Sequence, residues 1–168
     1  MTTKIKSKLS ALIVVALIGG ALQMPLQAHE AKCPHCELDV VQNTATQDNE
    51  VALKYGKKRI EYRCLMCAIA DANKSYKGDV TVLAPTELKE KPVQIVRKDG
   101  KWSAPEGIVV LGEKVKHRFC QTGYRVFTTK AAFDAHVQKN KVTLKDAVPI
   151  TLDQLVAIAD QENKGDQQ

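Results

Sequence analysis

The chain has 168 residues, and 25 lysines and arginines against 19 aspartates and glutamates give it a formal net charge of +6. Three of those lysines lie in the first 28 residues, which contain no acidic side chain, so the rest of the chain carries a net charge of only +3. This mild, dispersed charge, with no basic stripe interleaved with aromatic residues, argues against nucleic acid as a partner.

The first 28 residues predict a cleaved signal peptide. Three lysines come first, an apolar run from Leu9 to Leu22 follows, and Ala28 is a small residue at the expected cleavage point. The apolar run has about 14 residues, whereas a membrane-spanning helix needs about 20, so we favour cleavage over the alternative of a retained membrane anchor. We therefore expect export to the periplasm, a mature chain beginning at His29, and no stable membrane insertion after cleavage.

The N-terminal part of the mature chain predicts a turn, a hairpin and a helix. The turn holds the first cysteine pair, Cys33-x-x-Cys36. The strand-like runs Glu50–Tyr55 and Lys58–Tyr62 flank a Gly-Lys turn, as hairpin chemistry requires. The second pair, Cys64-x-x-Cys67, comes next, and apolar residues at spacings of three and four predict a helix over Ala68–Tyr76.

The C-terminal part predicts further strands and two more helices. An Asp-Gly turn indicates a second hairpin, and Thr128 or Thr129 can cap a helix that runs to about Asn140. Thr151-x-x-Gln154 has the pattern of a capping box before the last helix. The expected strands are Asp79–Leu83, Val93–Arg97, Lys101–Trp102, Ile108–Leu111, His117–Phe127 and, weakly, Lys141–Leu144.

These elements predict one α+β domain over residues 29–160, with small antiparallel sheets, about three helices and a polar disordered tail over 161–168. Its N-terminal half is expected to be treble-clef-like. Arg59–Ala72 and Tyr124–His136 each go from strand into helix, which suggests a second, diverged strand–helix repeat.

The two cysteine pairs, separated by 27 residues, predict a shared metal site. Tetrahedral Cys₄ sites use such pairs, because two intervening residues let both sulfurs converge on one ion. Positions i and i+3 share a helix face, so Cys64 and Cys67 should point the same way, and the helix N-terminus favours thiolate. We predict Cys33, Cys36, Cys64 and Cys67 as ligands of one ion.

Two other uses of the cysteines stay open. An exported protein meets an oxidising compartment, so the pairs could form disulfides, although five cysteines cannot all pair within one chain. A thiol-disulfide oxidoreductase is the third interpretation, because Cys-Pro-His-Cys at 33–36 matches the active-site tetrapeptide of the DsbA thiol oxidases. In that fold the tetrapeptide begins a long helix, which the β-branched and turn-forming residues after Cys36 do not predict.

The donor atoms favour Cu(I) or Zn(II), since both suit thiolate sulfur. Met66 lies between the second pair of cysteines, and its thioether would favour Cu(I); filling the core is the alternative role for this side chain. His35, His117 and Cys120 are secondary candidates. We predict no catalytic residues and do not expect an enzyme, since no triad, carboxylate pair, phosphate loop or dinucleotide fingerprint is present. A binding domain stabilised by structural zinc is a further alternative.

The mature chain resembles the NosL-like family, accessory proteins of nitrous oxide reductase, over most of residues 29–158. The likeness rests on the Cys33-x-x-Cys36 turn, on the hairpin closing on Arg59–Cys67, and on the strand Gly123–Phe127 leading into Thr128–Val137. The cysteine–hairpin pattern is also similar to TRASH-type treble clefs. The resemblance implies an exported metallochaperone that binds Cu(I) and delivers it to a client metalloenzyme.

Overall fold

The computed structural model describes residues 29–42, 50–89, 91–114 and 122–165. The signal peptide predicted for residues 1–28 lies outside this part. The described chain contains nine strands and three helices in an α+β arrangement, which confirms the predicted fold class. In chain order they are β1 (His29–Lys32), β2 (Asp39–Gln42), β3 (Val51–Tyr55), β4 (Lys58–Tyr62), α1 (Leu65–Ser75), β5 (Val80–Ala84), β6 (Val93–Lys98), β7 (Lys101–Ser103), β8 (Val109–Lys114), β9 (Thr122–Phe127), α2 (Lys130–Lys139) and α3 (Leu152–Gly165).

The strands form three antiparallel sheets. The largest has five strands in the order β4-β3-β5-β6-β7, while β1 pairs with β2 and β8 pairs with β9. Both predicted hairpin turns are confirmed. Tyr55 pairs with Lys58 around Gly56, whose φ is 58°, and Lys98 pairs with Lys101 around Asp99 and Gly100, whose φ values are 49° and 77°. Two successive positive φ angles match the twist of a tight hairpin.

Helix α1 is the centre of the core. Seven of its 11 residues are buried, and it packs on α3 and on the five-stranded sheet. The core cluster also includes Leu53 of β3, Val82 of β5, Ile95 of β6 and Leu155 of α3. The helix begins three residues earlier than the apolar spacing predicted, because it starts within the second cysteine pair.

Arg97 on β6 secures the other end of α1. Its side chain is 7% exposed and donates hydrogen bonds to the carbonyl oxygens of Ala72 at 2.7 Å, Tyr76 at 2.6 Å and Gly78 at 2.8 Å. The last carbonyls of a helix lack partners within the helix. Arg97 therefore satisfies them and complements the negative end of the helix dipole.

The C-terminal half contains a second strand–strand–helix run, β8–β9–α2. Thr129 caps α2, since its hydroxyl accepts a hydrogen bond from the Ala132 backbone N–H at 3.1 Å. Phe133 of α2 packs with Leu111 and Phe127 in a small separate cluster. The order of elements thus repeats that of β3–β4–α1, but α2 lies on the outside of the domain core.

Two sequence expectations differ from the structure. Lys141–Leu144, expected as a weak strand, forms turns in which the Asn140 carbonyl accepts hydrogen bonds from the Thr143 and Leu144 N–H groups at 3.0 Å. The tail expected over 161–168 is helical as far as Gly165, because Asn163 donates a 2.8 Å hydrogen bond to the Ala70 carbonyl of α1. The predicted strand His117–Phe127 begins at Thr122 within the described residues.

The capping box at the start of α3 is confirmed. The Thr151 N–H donates to Gln154 Oε1 at 2.8 Å, and the Gln154 N–H donates to Thr151 Oγ1 at 3.2 Å. Within the described part of the chain, none of the helices combines the length and the apolar character needed to cross a bilayer.

Candidate metal centre

The first cysteine pair lies in a tight turn between β1 and β2. The Glu37 N–H donates to the Cys33 carbonyl and the Cys33 N–H donates to the Leu38 carbonyl, both at 2.9 Å. Glu37 takes a left-handed conformation with φ 60°, which reverses the chain after Cys36. This short closed loop turns both thiols inward, so Cys33 is 0% and Cys36 2% exposed.

The second pair spans the first turn of α1. Cys64 is the N-cap residue, with extended backbone angles of −154° and 170°, and its carbonyl accepts a hydrogen bond from the Ala68 N–H at 3.3 Å. Cys67 follows three positions later, and its sulfur lies 3.5 Å from that of Cys64. The pair thus points one way, as helical spacing predicts.

Three of the four sulfurs converge on one point. Those of Cys33, Cys36 and Cys67 all lie within 4.8 Å of one another, and all three residues are buried. An ion with tetrahedral bonds of about 2.3 Å holds its sulfurs about 3.8 Å apart, so small side-chain movements would let one ion bind all three. Cys64 is not a member of this group, although its sulfur lies 3.5 Å from that of Cys67.

The setting of the sulfurs is apolar. All four cysteines belong to the core cluster together with residues of the sheet and of α3, and all four are thiols rather than disulfides. Several thiolates buried side by side would repel one another and lose their hydration, which a bound cation corrects. The N-terminus of α1 adds partial positive charge, and its first turn contains no acidic residue. This arrangement is therefore able to bind a metal ion.

Met66 is 1% exposed and lies in the same core cluster. It is one position before Cys67 on α1, and successive helix positions are turned by about 100°. Burial in the core fits the gap-filling role of methionine. A bond between its thioether and the ion stays a prediction.

His35 and His136 are not members of the group formed by Cys33, Cys36 and Cys67. His35 is mostly buried and its Nε2 lies 3.6 Å from Glu162 Oε2 of α3, so it links the cysteine turn to the last helix. His136 Nε2 lies 3.1 Å from Glu113 Oε1, and its ring packs against Phe127. His117 and Cys120 lie outside the described residues.

A partly buried hydrogen bond close to the second pair was not expected from the sequence. The Tyr62 hydroxyl donates to Asp71 Oδ2 at 2.5 Å, which joins the end of β4 to α1 one turn beyond Cys67. Burial, followed by the hydrogen bond to Asp71 and its charge, raises the pKa of Tyr62 well above its usual value. Asp71 lies four positions after Cys67 on α1, and this spacing puts both residues on one face of the helix.

Comparison with known proteins gives the fold alone. No protein-family model matches the chain, and no curated protein matches it significantly. Among solved structures, the chain is similar to the one described as the crystal structure of the mercury-bound form of MerB2, with a TM-score of 0.57 and 11% sequence identity. The match covers 68% of this chain and 58% of that one, so this chain spans just over half the length of its structural neighbour.

Proposed function

We propose that the protein binds a soft metal ion, Cu(I) ahead of Zn(II), and hands it to a partner protein in the periplasm. The observation that carries this proposal is the convergence of Cys33, Cys36 and Cys67, whose sulfurs lie within 4.8 Å of one another in the core. Two of these side chains come from the β1–β2 turn and the third from α1.

The choice of ion follows from the donor atoms. Thiolate sulfur selects Cu(I) and Zn(II), while harder ions prefer oxygen. Within the described residues, the group that could hold an ion contains no carboxylate or imidazole, which favours the softer of the two ions. The structural neighbour is described as mercury-bound, and mercury is likewise a thiophilic ion.

The size of the core supports a delivery role for the ion over a structural one. The buried cluster unites α1 and α3 with strands from all three sheets, so the domain has a hydrophobic core beyond its cysteines. A domain that needs zinc in order to fold has little core of its own. We therefore assign the ion the role of cargo. The resemblance to the NosL-like family and the predicted signal peptide support export and a client metalloenzyme.

The oxidoreductase alternative is less well supported. In the DsbA thiol oxidases the Cys-Pro-His-Cys tetrapeptide begins a long helix, whereas in this chain it leads into strand β2. Structural zinc stays the main competing function, and it predicts that the protein unfolds without metal.

The test is a metal analysis combined with a competition titration. Protein purified anaerobically should bind one Cu(I) per chain against a chromogenic Cu(I) chelator, and Cys67→Ser should lower the affinity more than about 100-fold, since even contacts behind the ligands can be worth 10–100-fold. His136→Gln is the control, because this histidine contacts Glu113 and Phe127 and is not a member of the cysteine group. Equal affinity in Cys67→Ser and the wild type would refute the proposal.

A further inference from the structure

The three converging sulfurs are closed off from solvent. Cys33 and Cys67 are 0% exposed, and Cys36 is 2% exposed. An ion passes from one sulfur ligand to another only where the incoming sulfur can touch it. Loading and unloading of this site therefore need a movement that separates the elements around the three sulfurs, as closed binding sites in general open by the motion of a loop or a larger element.

The element that carries Cys67 is firmly held. Cys67 lies on α1, and seven of the 11 residues of this helix are buried. Asn163 of α3 donates a hydrogen bond to the Ala70 carbonyl in the middle of the helix at 2.8 Å, and Arg97 binds carbonyls at its C-terminal end. Helix α1 is thus a fixed side of the metal site.

The β1–β2 hairpin, residues 29–42, carries the other two sulfurs and is less firmly held. Its strands pair with each other in a separate two-stranded sheet. Of its residues 31–40, Val40 is the one buried residue besides the two cysteines, and Leu38 is partly buried against the core. Segments with few buried apolar contacts open at a lower cost in free energy than the centre of a core. The hairpin is therefore the side of the site that can move.

We infer that the β1–β2 hairpin is the gate of the metal site: it swings away from α1 to expose Cys33, Cys36 and Cys67, and it closes again over the bound ion. This inference rests on the proposed function. The ion is exchanged with a partner in the open state and held in the closed state, in which the three sulfurs lie within 4.8 Å of one another.

The hairpin is built to move as one piece. The two 2.9 Å hydrogen bonds that close the cysteine turn and the contact between Lys32 and Asp39 all join hairpin residues to one another. A swing away from α1 leaves these bonds intact. Cys33 and Cys36 therefore stay together when the hairpin separates them from Cys67.

A contact at the tip of the hairpin favours the closed state. His35 Nε2, in the cysteine turn, lies 3.6 Å from Glu162 Oε2 in the last turn of α3. Helix α3 is itself joined to α1, because Asn73 donates a 2.8 Å hydrogen bond to Asp160. The Glu162 side chain is 48% exposed, and contacts of this kind are weak. Its loss should ease the opening of the hairpin and leave the fold intact.

The first experiment measures Cu(I) uptake and release by the full mature chain in stopped flow, with a Cu(I)–dithiothreitol complex as donor and a chromogenic chelator as acceptor. Because opening limits the exchange, the uptake rate should reach a plateau as the donor concentration rises. Glu162→Gln should raise the plateau rate and the release rate by the same factor, about two- to fivefold, and keep the wild-type affinity. Glu106→Gln, in an exposed turn before β8, is the matched control and should behave as the wild type.

The second experiment shows whether the opening is local. In the metal-free protein, a thiol-alkylating reagent labels Cys33, Cys36 and Cys67 only when the site is open, and mass spectrometry of the peptides gives each rate. Glu162→Gln should speed this labelling about two- to fivefold. Arg97→Met, which weakens the fold at the far end of α1, should leave the labelling rate within about twofold of the wild type, because a local opening does not depend on that contact.

Two results would overturn the gate. Labelling that Arg97→Met speeds as strongly as it destabilises the protein would show that the sulfurs are exposed only when the whole domain unfolds. Uptake proportional to donor concentration throughout, with Glu162→Gln rates equal to those of the wild type, would show that the hairpin does not control the exchange. A wild type that binds no Cu(I) refutes the proposed function instead, while the labelling, which needs no metal, still decides whether the hairpin opens.

Discussion

The sulfurs of Cys33 and Cys67 lie within 4.8 Å of each other although 34 positions separate them in the chain. One residue belongs to the turn after β1 and the other to the first turn of α1, so an ion between them would join two segments that are distant in the chain. Binding to the folded state alone stabilises that state by mass action.

Metal removal should therefore weaken the fold without abolishing it. At free Cu(I) about 100 times its dissociation constant, the ion should add about 2.7 kcal/mol to the free energy of unfolding. Urea unfolding of the loaded and stripped proteins, followed by circular dichroism, measures the difference. A stripped protein with no cooperative transition would show that the metal is structural.

Met66 distinguishes a copper site from a zinc site. Because a thioether is a good ligand for Cu(I) and a poor one for Zn(II), Met66→Leu should weaken Cu(I) binding and leave Zn(II) binding nearly unchanged. Leucine has a similar volume, so a core role alone should cost less than about 1.5 kcal/mol of stability. Parallel competition titrations with both ions measure the effect, and equal Cu(I) affinities in the two proteins would leave Met66 as a core residue.

The turns and helix caps could be predicted from the sequence, because the residues that form them are close together in the chain. The Gly56 and Gly100 turns, the Thr129 cap and the Thr151–Gln154 capping box each depend on residues a few positions apart, and all were found. The sequence could not predict that Cys33, Cys36 and Cys67 would form a closer group than all four cysteines, because both cysteine pairs have the same spacing. The difference arises because Cys64 occupies an extended N-cap while Cys67 lies inside the helix.

Contacts between distant segments account for the misses. The helical end of α3 depends on the bond from Asn163 to the Ala70 carbonyl, 93 positions away, and a polar sequence gives no sign of it. The sequence likewise offered no sign that Arg97, predicted only as the end of a strand, would donate hydrogen bonds to three carbonyls around the end of α1. In both cases the hydrogen-bonded residues lie far apart in the chain.

Arg97 should therefore be important for stability. Arg97→Met leaves the carbonyls of Ala72, Tyr76 and Gly78 without this donor, and we expect a loss of about 3 kcal/mol or more, since hydrogen bonds to charged groups contribute about 1.5–3 kcal/mol each. Lys98→Met, at the exposed neighbouring position on β6, is the control and should change stability by less than about 0.5 kcal/mol. Urea denaturation of both variants is the measurement, and equal midpoints would show that Arg97 is dispensable.

Tyr62 should make stability depend on alkaline pH. Its pKa is raised in the folded state, by burial first and then by Asp71, so the folded protein keeps a proton that the unfolded chain loses above about pH 10. The contribution of Tyr62 is thus complete below pH 10 and falls by about 1.4 kcal/mol per pH unit above it.

Tyr62→Phe should remove this dependence. At pH 7 the variant should lose about 1 kcal/mol, because the partly buried Asp71 loses one donor and keeps that from Ser75, but its stability should decline less steeply than that of the wild type between pH 9 and pH 11. Denaturant titrations across this range compare the two slopes. Parallel curves would mean that Tyr62 ionises equally in the folded and unfolded states.

The most direct test of the metal site is X-ray absorption at the copper edge of anaerobically loaded protein, with Cys67→Ser as the reference. The wild type should hold one Cu(I) per chain with a shell of sulfur alone at about 2.3 Å, and this signal should be lost in Cys67→Ser. A shell of nitrogen or oxygen atoms, or a wild-type protein that holds no copper, would contradict a thiolate site built from Cys33, Cys36 and Cys67.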